Sequence, residues 1–164
     1  MTLNSSSARL RAVTRGKFAA TILSSVLAVT ALVTASPPAL AGSNFARLDA
    51  FGWAKTQAGK PYEYGGIGPG GYDCSGLVYA AYKREGFTLP RTTEGMLASS
   101  MLGRTNSPRP GELAFFGSGH VEFVTTVRHL TYGALKPGTT LGWHTWYPGS
   151  GWQPTEYLYV KGAQ

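Results

Sequence analysis

Residues 71–86 read GYDCSGLVYAAYKREG and hold the chain's only cysteine, Cys74. Leu77, Val78, Ala81 and Tyr82 recur at helical spacing and form one apolar stripe. Asp73 is placed to cap the first turn, and Gly86 to stop the last. The spacing therefore predicts a helix over 74–85, with the cysteine in its first turn. Upstream, the loop PYEYGGIGPGGYD follows a first predicted helix that Ser43-Asn44 caps and that runs to about Ala58. Phe45, Leu48, Phe51 and Trp53 are its expected apolar residues. Gly59 ends it, and Pro61 prevents its resumption. Downstream, residues 87–110 are mixed, with Thr92 or Thr93 capping a short helix to about Met101.

Strands come after that. ELAFFG, HVEFVTTV, LTYGAL, TTLGWHTW and EYLYV are rich in β-branched and aromatic residues. Turn signals separate them: Pro110-Gly111, Gly117-Ser118-Gly119, Arg128-His129 and Lys136-Pro137-Gly138. Helices followed by a run of strands predict an α+β fold, with N-terminal helices packed on a C-terminal antiparallel sheet.

The first 41 residues read as a leader. Arg9, Arg11, Arg15 and Lys17 precede an apolar stretch from Phe18 to Val33, and Ala39-Leu40-Ala41 has the small-x-small pattern of a cleavage site. We expect a secretory signal peptide over 1–41, cleaved after Ala41, and one folded domain over 42–164. The competing reading is an uncleaved membrane anchor, for which the apolar run is short. The whole chain of 164 residues carries 15 basic and 8 acidic residues. Four of the basic ones lie in the leader, so the domain keeps 11 against 8, a net of +3. That balance, with no Lys/Arg stripe, argues against a nucleic-acid partner. It suits an anionic surface such as a cell wall.

One cysteine forms no internal disulfide, and in an exported protein an odd thiol points to intermolecular pairing or reactivity. His120, His129 and His144 show no metal-ligand spacing with it, so we expect no metal and no cofactor. GGIGPGG at 65–71 lacks the Lys-Ser/Thr of a phosphate loop. A thiol attacks as its thiolate, and the positive end of a helix favours that anion. Small neighbours, Ser75 and Gly76, leave room for a substrate. The alternative is a buried structural cysteine. Activation also needs a base. His120, at the start of HVEFVTTV after a glycine turn, is the best candidate; the alternative is a histidine capping a loop. His129 falls in a turn.

In order, GKPYEYGG, DCSG, LPR, PGELAFF and GHV resemble the signature of the NlpC family of cell-wall cysteine peptidases. The resemblance runs from about Ala50 to Val127, and more loosely to the C-terminus. It implies a papain-like fold, with the cysteine on a helix and the histidine on a sheet. It implies Cys74 as nucleophile and His120 as general base. Tyr62 then matches a tyrosine near the nucleophile, and Asp73 and Ser75 match positions that shape a pocket for a substrate amino group.

The sequence departs from that pattern at the residue that orients the base. The family usually has a polar group about a dozen positions after the histidine, and here Gly133 stands there. Glu122 can substitute, since it follows His120 by two and points the same way, although such neighbours lie ~7 Å apart along a strand. His144, on the next strand, is a second substitute, and a backbone carbonyl a third. Against these stand plain readings: a solvated strand charge for Glu122 and a half-exposed sheet residue for His144. Met96 occupies a position where the family often has a polar residue, which predicts an altered subsite. Tyr64, Tyr72, Trp143, Trp146, Tyr147 and Trp152 can line a cleft or fill the core; the core is expected for most of them.

The expectation is a secreted, monomeric cysteine hydrolase of peptidoglycan stem peptides, acting outside the cell or in the wall. The resemblance implies the γ-D-glutamyl–diamino acid bond. The alternatives are a muramoyl-L-alanine amidase or acyltransferase on the same scaffold, and a non-catalytic wall-binding protein.

Overall fold

The computed structural model describes residues 45–164. The expected leader, its cleavage site and the Ser43-Asn44 cap lie outside the described residues. Three helices come first: α1 (Ala46–Lys55), α2 (Cys74–Arg84) and α3 (Thr93–Ala98). Six strands follow: β1 (Leu102–Thr105), β2 (Leu113–Phe115), β3 (Val121–Val124), β4 (Leu130–Gly133), β5 (Gly142–Thr145) and β6 (Glu156–Val160). They form one antiparallel sheet in the order β1-β6-β2-β3-β4-β5. The α+β arrangement of helices on an antiparallel sheet is as the sequence predicts.

Local chemistry explains α2. The Asp73 side chain accepts from the Gly76 N–H at 2.6 Å, capping the helix. At the other end Gly86 takes φ +87°, the left-handed conformation that glycine adopts without penalty. The Phe87 and Gly86 N–H groups then bond back to the Tyr82 and Lys83 carbonyls, and the Phe87 ring packs edge-on against Tyr82 at 6.3 Å. This is the double bond and apolar clasp that close many helices. The predicted stripe of Leu77, Val78, Ala81 and Tyr82 is buried. Tyr82 stacks on Phe123 of β3, which also meets Phe51 of α1, so helices and sheet share one core.

Helix α1 buries a different face from the one expected. Ala46, Ala50 and Ala54 point inward with Phe51, while Phe45 and Leu48 are exposed. Small residues at every fourth position let two helices approach closely, and this outweighs the hydrophobicity of Phe45 and Leu48. The helix also stops at Lys55, and α3 at Ala98, each three residues short of prediction. Strand β1 is an unpredicted element: it pairs with β6 at the far end of the chain.

Candidate active site

Cys74 opens α2 and lines a pocket of about 400 Å³ with Tyr62, Asp73, Ser75, Arg91 and Glu94. The residue is 7% exposed and lies at the wall of that pocket. Burial pushes the thiol's pKa up, but the hydrogen bond and charge of His120, with the Val121 backbone N–H, outweigh it and hold the pKa below the ordinary thiol value. The imidazole moves the opposite way. Burial lowers its pKa, whereas hydrogen bonds to Cys74 and Glu122 and their negative charges raise it to about 9. The two shifts share one origin: the contact between sulfur and ring favours the charged form of each.

The far side of that ring is held by Glu122. His120 Nε2 lies 3.2 Å from Glu122 Oε1, which leaves Nδ1 for the thiol. The same carboxylate oxygen lies 2.6 Å from His144 Nδ1, and Oε2 accepts from the Thr131 hydroxyl at 2.5 Å. Glu122 has no exposed surface. Burial pushes its pKa up, and the bonds from His120, His144 and Thr131 reverse that to a net lowering. Thus Glu122 is not a solvated strand charge. The two substitutes weighed for the orienting position, Glu122 and His144, are brought together rather than competing. The side chains converge although the backbone spacing between residues 120 and 122 is long.

Gly133 explains why the carboxylate fits. The β3–β4 register of Phe123 with Tyr132 and Val124 with Thr131 sets Gly133 across from Glu122. A Cβ at position 133 would lie 2.8 Å from Glu122 Cγ, inside contact distance. The missing side chain on β4 is the space that the carboxylate from β3 occupies.

Around the thiol, Asp73 is already engaged. One oxygen caps α2, the other accepts from the Gly65 N–H at 2.8 Å, and Arg91 bridges both at 2.9 and 2.7 Å. Arg91 also donates to the Ser75 hydroxyl at 3.0 Å and to the Gly66 carbonyl. Asp73 and Ser75 therefore line the pocket while holding the loop before α2 against it. Arg91 was visible beforehand only as part of LPR. Glu94, which also lines the pocket, carried no motif and was missed. Tyr62 borders Cys74, and its phenol pKa is raised by burial and then by the sulfur's charge.

Two expectations need correction. Met96 is fully buried in the core, so it alters no subsite. Of the six aromatics expected mostly in the core, Tyr72 alone is buried, whereas Tyr64, Trp143, Tyr147 and Trp152 are exposed. Tyr64 lies in the loop before α2, Trp143 on the edge strand β5, and Trp146, Tyr147 and Trp152 in the segment between β5 and β6, none of them in the middle of the sheet. Trp152 stacks on Phe116 at 4.5 Å and lies 5.1 Å from the His120 ring, a contact that no sequence pattern signalled. His129 sits in its predicted turn with φ 61°, packed on Trp146.

The NlpC/P60 family model matches residues 59–130. A probable endopeptidase of Corynebacterium glutamicum is 35% identical over 97 residues, which cover 56% of this chain and 44% of that protein. The probable endopeptidase p60 of Listeria seeligeri is 39% identical over 66 residues, 40% of this chain and 13% of that protein. A probable endopeptidase of Mycobacterium bovis is 38% identical over 65 residues, 40% of this chain and 17% of the relative. The chain thus spans less than half the length of these curated relatives. Among solved structures, the NlpC/p60 domain of the peptidoglycan hydrolase SagA superposes with a TM-score of 0.59 at 22% identity, covering 70% of this chain and 98% of that one. The P60 domain of an antigen from M. avium subspecies paratuberculosis gives 0.58 at 22% identity, covering 70% and 93%. These two speak for a shared fold.

Proposed function

We propose that this chain, whose residues 59–130 match the NlpC/P60 family model, is a cysteine endopeptidase of peptidoglycan stem peptides. The observation that carries the reading is the placement of Cys74 at the start of α2 on an open pocket, in hydrogen-bonding reach of a His120 ring that Glu122 holds at 3.2 Å, with the thiol pKa lowered and the imidazole pKa raised at that contact. A thiolate–imidazolium pair holds nucleophile and acid ready together.

The Cys74 thiolate attacks an amide carbonyl, and the helix-start N–H groups of α2 stabilise the oxyanion, with Tyr62 at the pocket wall. As the intermediate collapses, the C–N bond breaks and the imidazolium of His120 gives its proton to the leaving amine. The neutral ring then takes a proton from water. The resulting hydroxide attacks the thioester, releasing the carboxylic acid and restoring the thiolate. Glu122 acts through His120: it fixes the ring's orientation and stabilises its charged form. Asp73 and Arg91 position the loop that forms the pocket. The open carboxylate of Glu94 is suited to a substrate ammonium.

The bond we assign is γ-D-glutamyl–diamino acid, on the resemblance of the motifs. The leader over 1–41 exports the protein to the wall or beyond. Among the described residues no helix is long and apolar enough to cross a membrane. An orienting carboxylate at Glu122 removes the motive for a non-catalytic reading. Digestion of purified peptidoglycan by residues 42–164 and by the Cys74→Ala variant, read by mass spectrometry, tests the proposal. Fragments split after D-glutamate, absent with the variant, support it. Whole stem peptides freed from glycan would assign an amidase instead, and identical products from both proteins would remove the hydrolase.

A further inference from the structure

A second groove, of about 530 Å³, runs along the outer edge of β5 and is lined by Leu135, Lys136, Trp143, His144, Thr145 and Trp152. Two of these side chains reach the proposed base. Trp152 packs on the His120 ring, and His144 contacts it through Glu122. Strand β5 is the last in the sheet and pairs only with β4. Antiparallel bonding alternates along a strand, and the Trp146 N–H bonds inward to the His129 carbonyl. The backbone groups of Trp143 and Thr145 therefore face outward. An edge of this kind is a template for an added extended peptide.

Its surroundings suit a peptide of definite chemistry. Trp143 is 53% exposed and Trp152 37%, so two indoles stand unburied beside the free edge. Lys136 is exposed, and among the described residues no ion pair uses its ammonium. No carboxylate lines the groove among the described residues, and Glu122, which His144 contacts, is buried with both oxygens engaged. The groove thus presents apolar faces, backbone groups and one positive charge.

We propose that this groove binds the amine-side segment of the peptide substrate, pairing its backbone with β5, its aliphatic side chains with Trp143 and Trp152, and a carboxylate with Lys136. The assignment rests on the endopeptidase reading, because the leaving amine must depart beside His120, where Trp152 packs. Strand β5 lies two strands from β3, ~10 Å at the usual spacing, which an extended peptide crosses in about three residues. The groove therefore selects leaving segments of that length or longer, as in cross-linked stems, over short ones.

The test has a binding arm and a turnover arm. Synthetic leaving segments of one and of four residues, each as the free carboxylate and as the amide, are titrated into the Cys74→Ala protein and followed by tryptophan fluorescence. The four-residue carboxylate is expected to bind about fivefold or more tighter than the other three. Lys136→Ala is expected to abolish the preference for the carboxylate, and Trp143→Ala to weaken binding of both long peptides. Equal binding of all four peptides, no effect of Lys136→Ala, or displacement by a glycan fragment overturns the proposal. Wild-type turnover of stem-peptide substrates separates the two readings. Turnover with a flat binding arm removes the groove proposal alone. Absence of turnover on every stem peptide removes the endopeptidase reading, and with it the assignment of the bound segment as a leaving group.

Discussion

Glu122 receives two imidazoles and a threonine hydroxyl in a place with no exposed surface. A buried charge is stable only when fully partnered, and this one is. Glu122→Gln keeps the shape and loses the charge, so His120 is expected to lose support for its proton. The alkaline limb of kcat/KM, set near pH 9 by His120, should shift to lower pH, and kcat/KM at neutral pH should fall about 10- to 100-fold. A pH–rate profile of the two proteins checks this. The pKa of Glu122 is depressed on folding, so its contribution to stability is present above its ordinary value of 4.5 and is lost as pH falls through the lower folded value. Denaturant titrations between about pH 6 and pH 3 should therefore show a shallower acid loss for Glu122→Gln than for wild type. The groups of this cluster were legible one by one in the sequence. Their convergence was not, because it depends on strand register, which pairs residues 9 and 22 positions apart.

At the scale of the element, α2 was the most legible part of the chain because its cap, stripe and stop are all local. Helix α1 was misread because alanines carry little hydrophobic signal yet set the closest packing. Strand β1 was missed because only Leu102 of its four residues is buried and its partner lies more than 50 residues away. Two predictions belong here. Asp73→Ala removes the α2 cap and leaves the Arg91 guanidinium without its carboxylate. Denaturant unfolding should show a loss of about 2–4 kcal/mol, and Asp73→Asn, which keeps the cap, a smaller one. The second concerns the β3–β4 pair. Gly133→Ala should displace the Glu122 carboxylate and lower kcat with little change in KM. Pairing Glu122→Ala with Gly133→Glu moves the carboxylate across the strand pair and should recover part of the activity lost by Glu122→Ala alone. Steady-state kinetics of the three proteins decides it; no recovery would mean that the carboxylate must come from β3.

For the whole molecule, one cluster of buried residues joins α1, α2 and the sheet, from Ala46 to Ala163. Residues 42–164 are therefore expected to unfold in a single transition, with far-ultraviolet circular dichroism and tryptophan fluorescence coinciding. The order of helices and strands was legible because period and turn chemistry are written along the chain. The fate of the aromatics was not, since a tryptophan reads alike whether it fills a core or walls a groove; only the position of its strand in the sheet decides.

On the proposed mechanism, His120 holds Cys74 as an anion that remains open to the pocket. The rate of Cys74 alkylation by iodoacetamide as a function of pH tests it most directly. Rapid alkylation is expected to persist well below the ordinary thiol range, and in His120→Ala the rate is expected to rise only through that range. A wild-type profile like that of a free cysteine, or no alkylation at any pH in the folded protein, would contradict it.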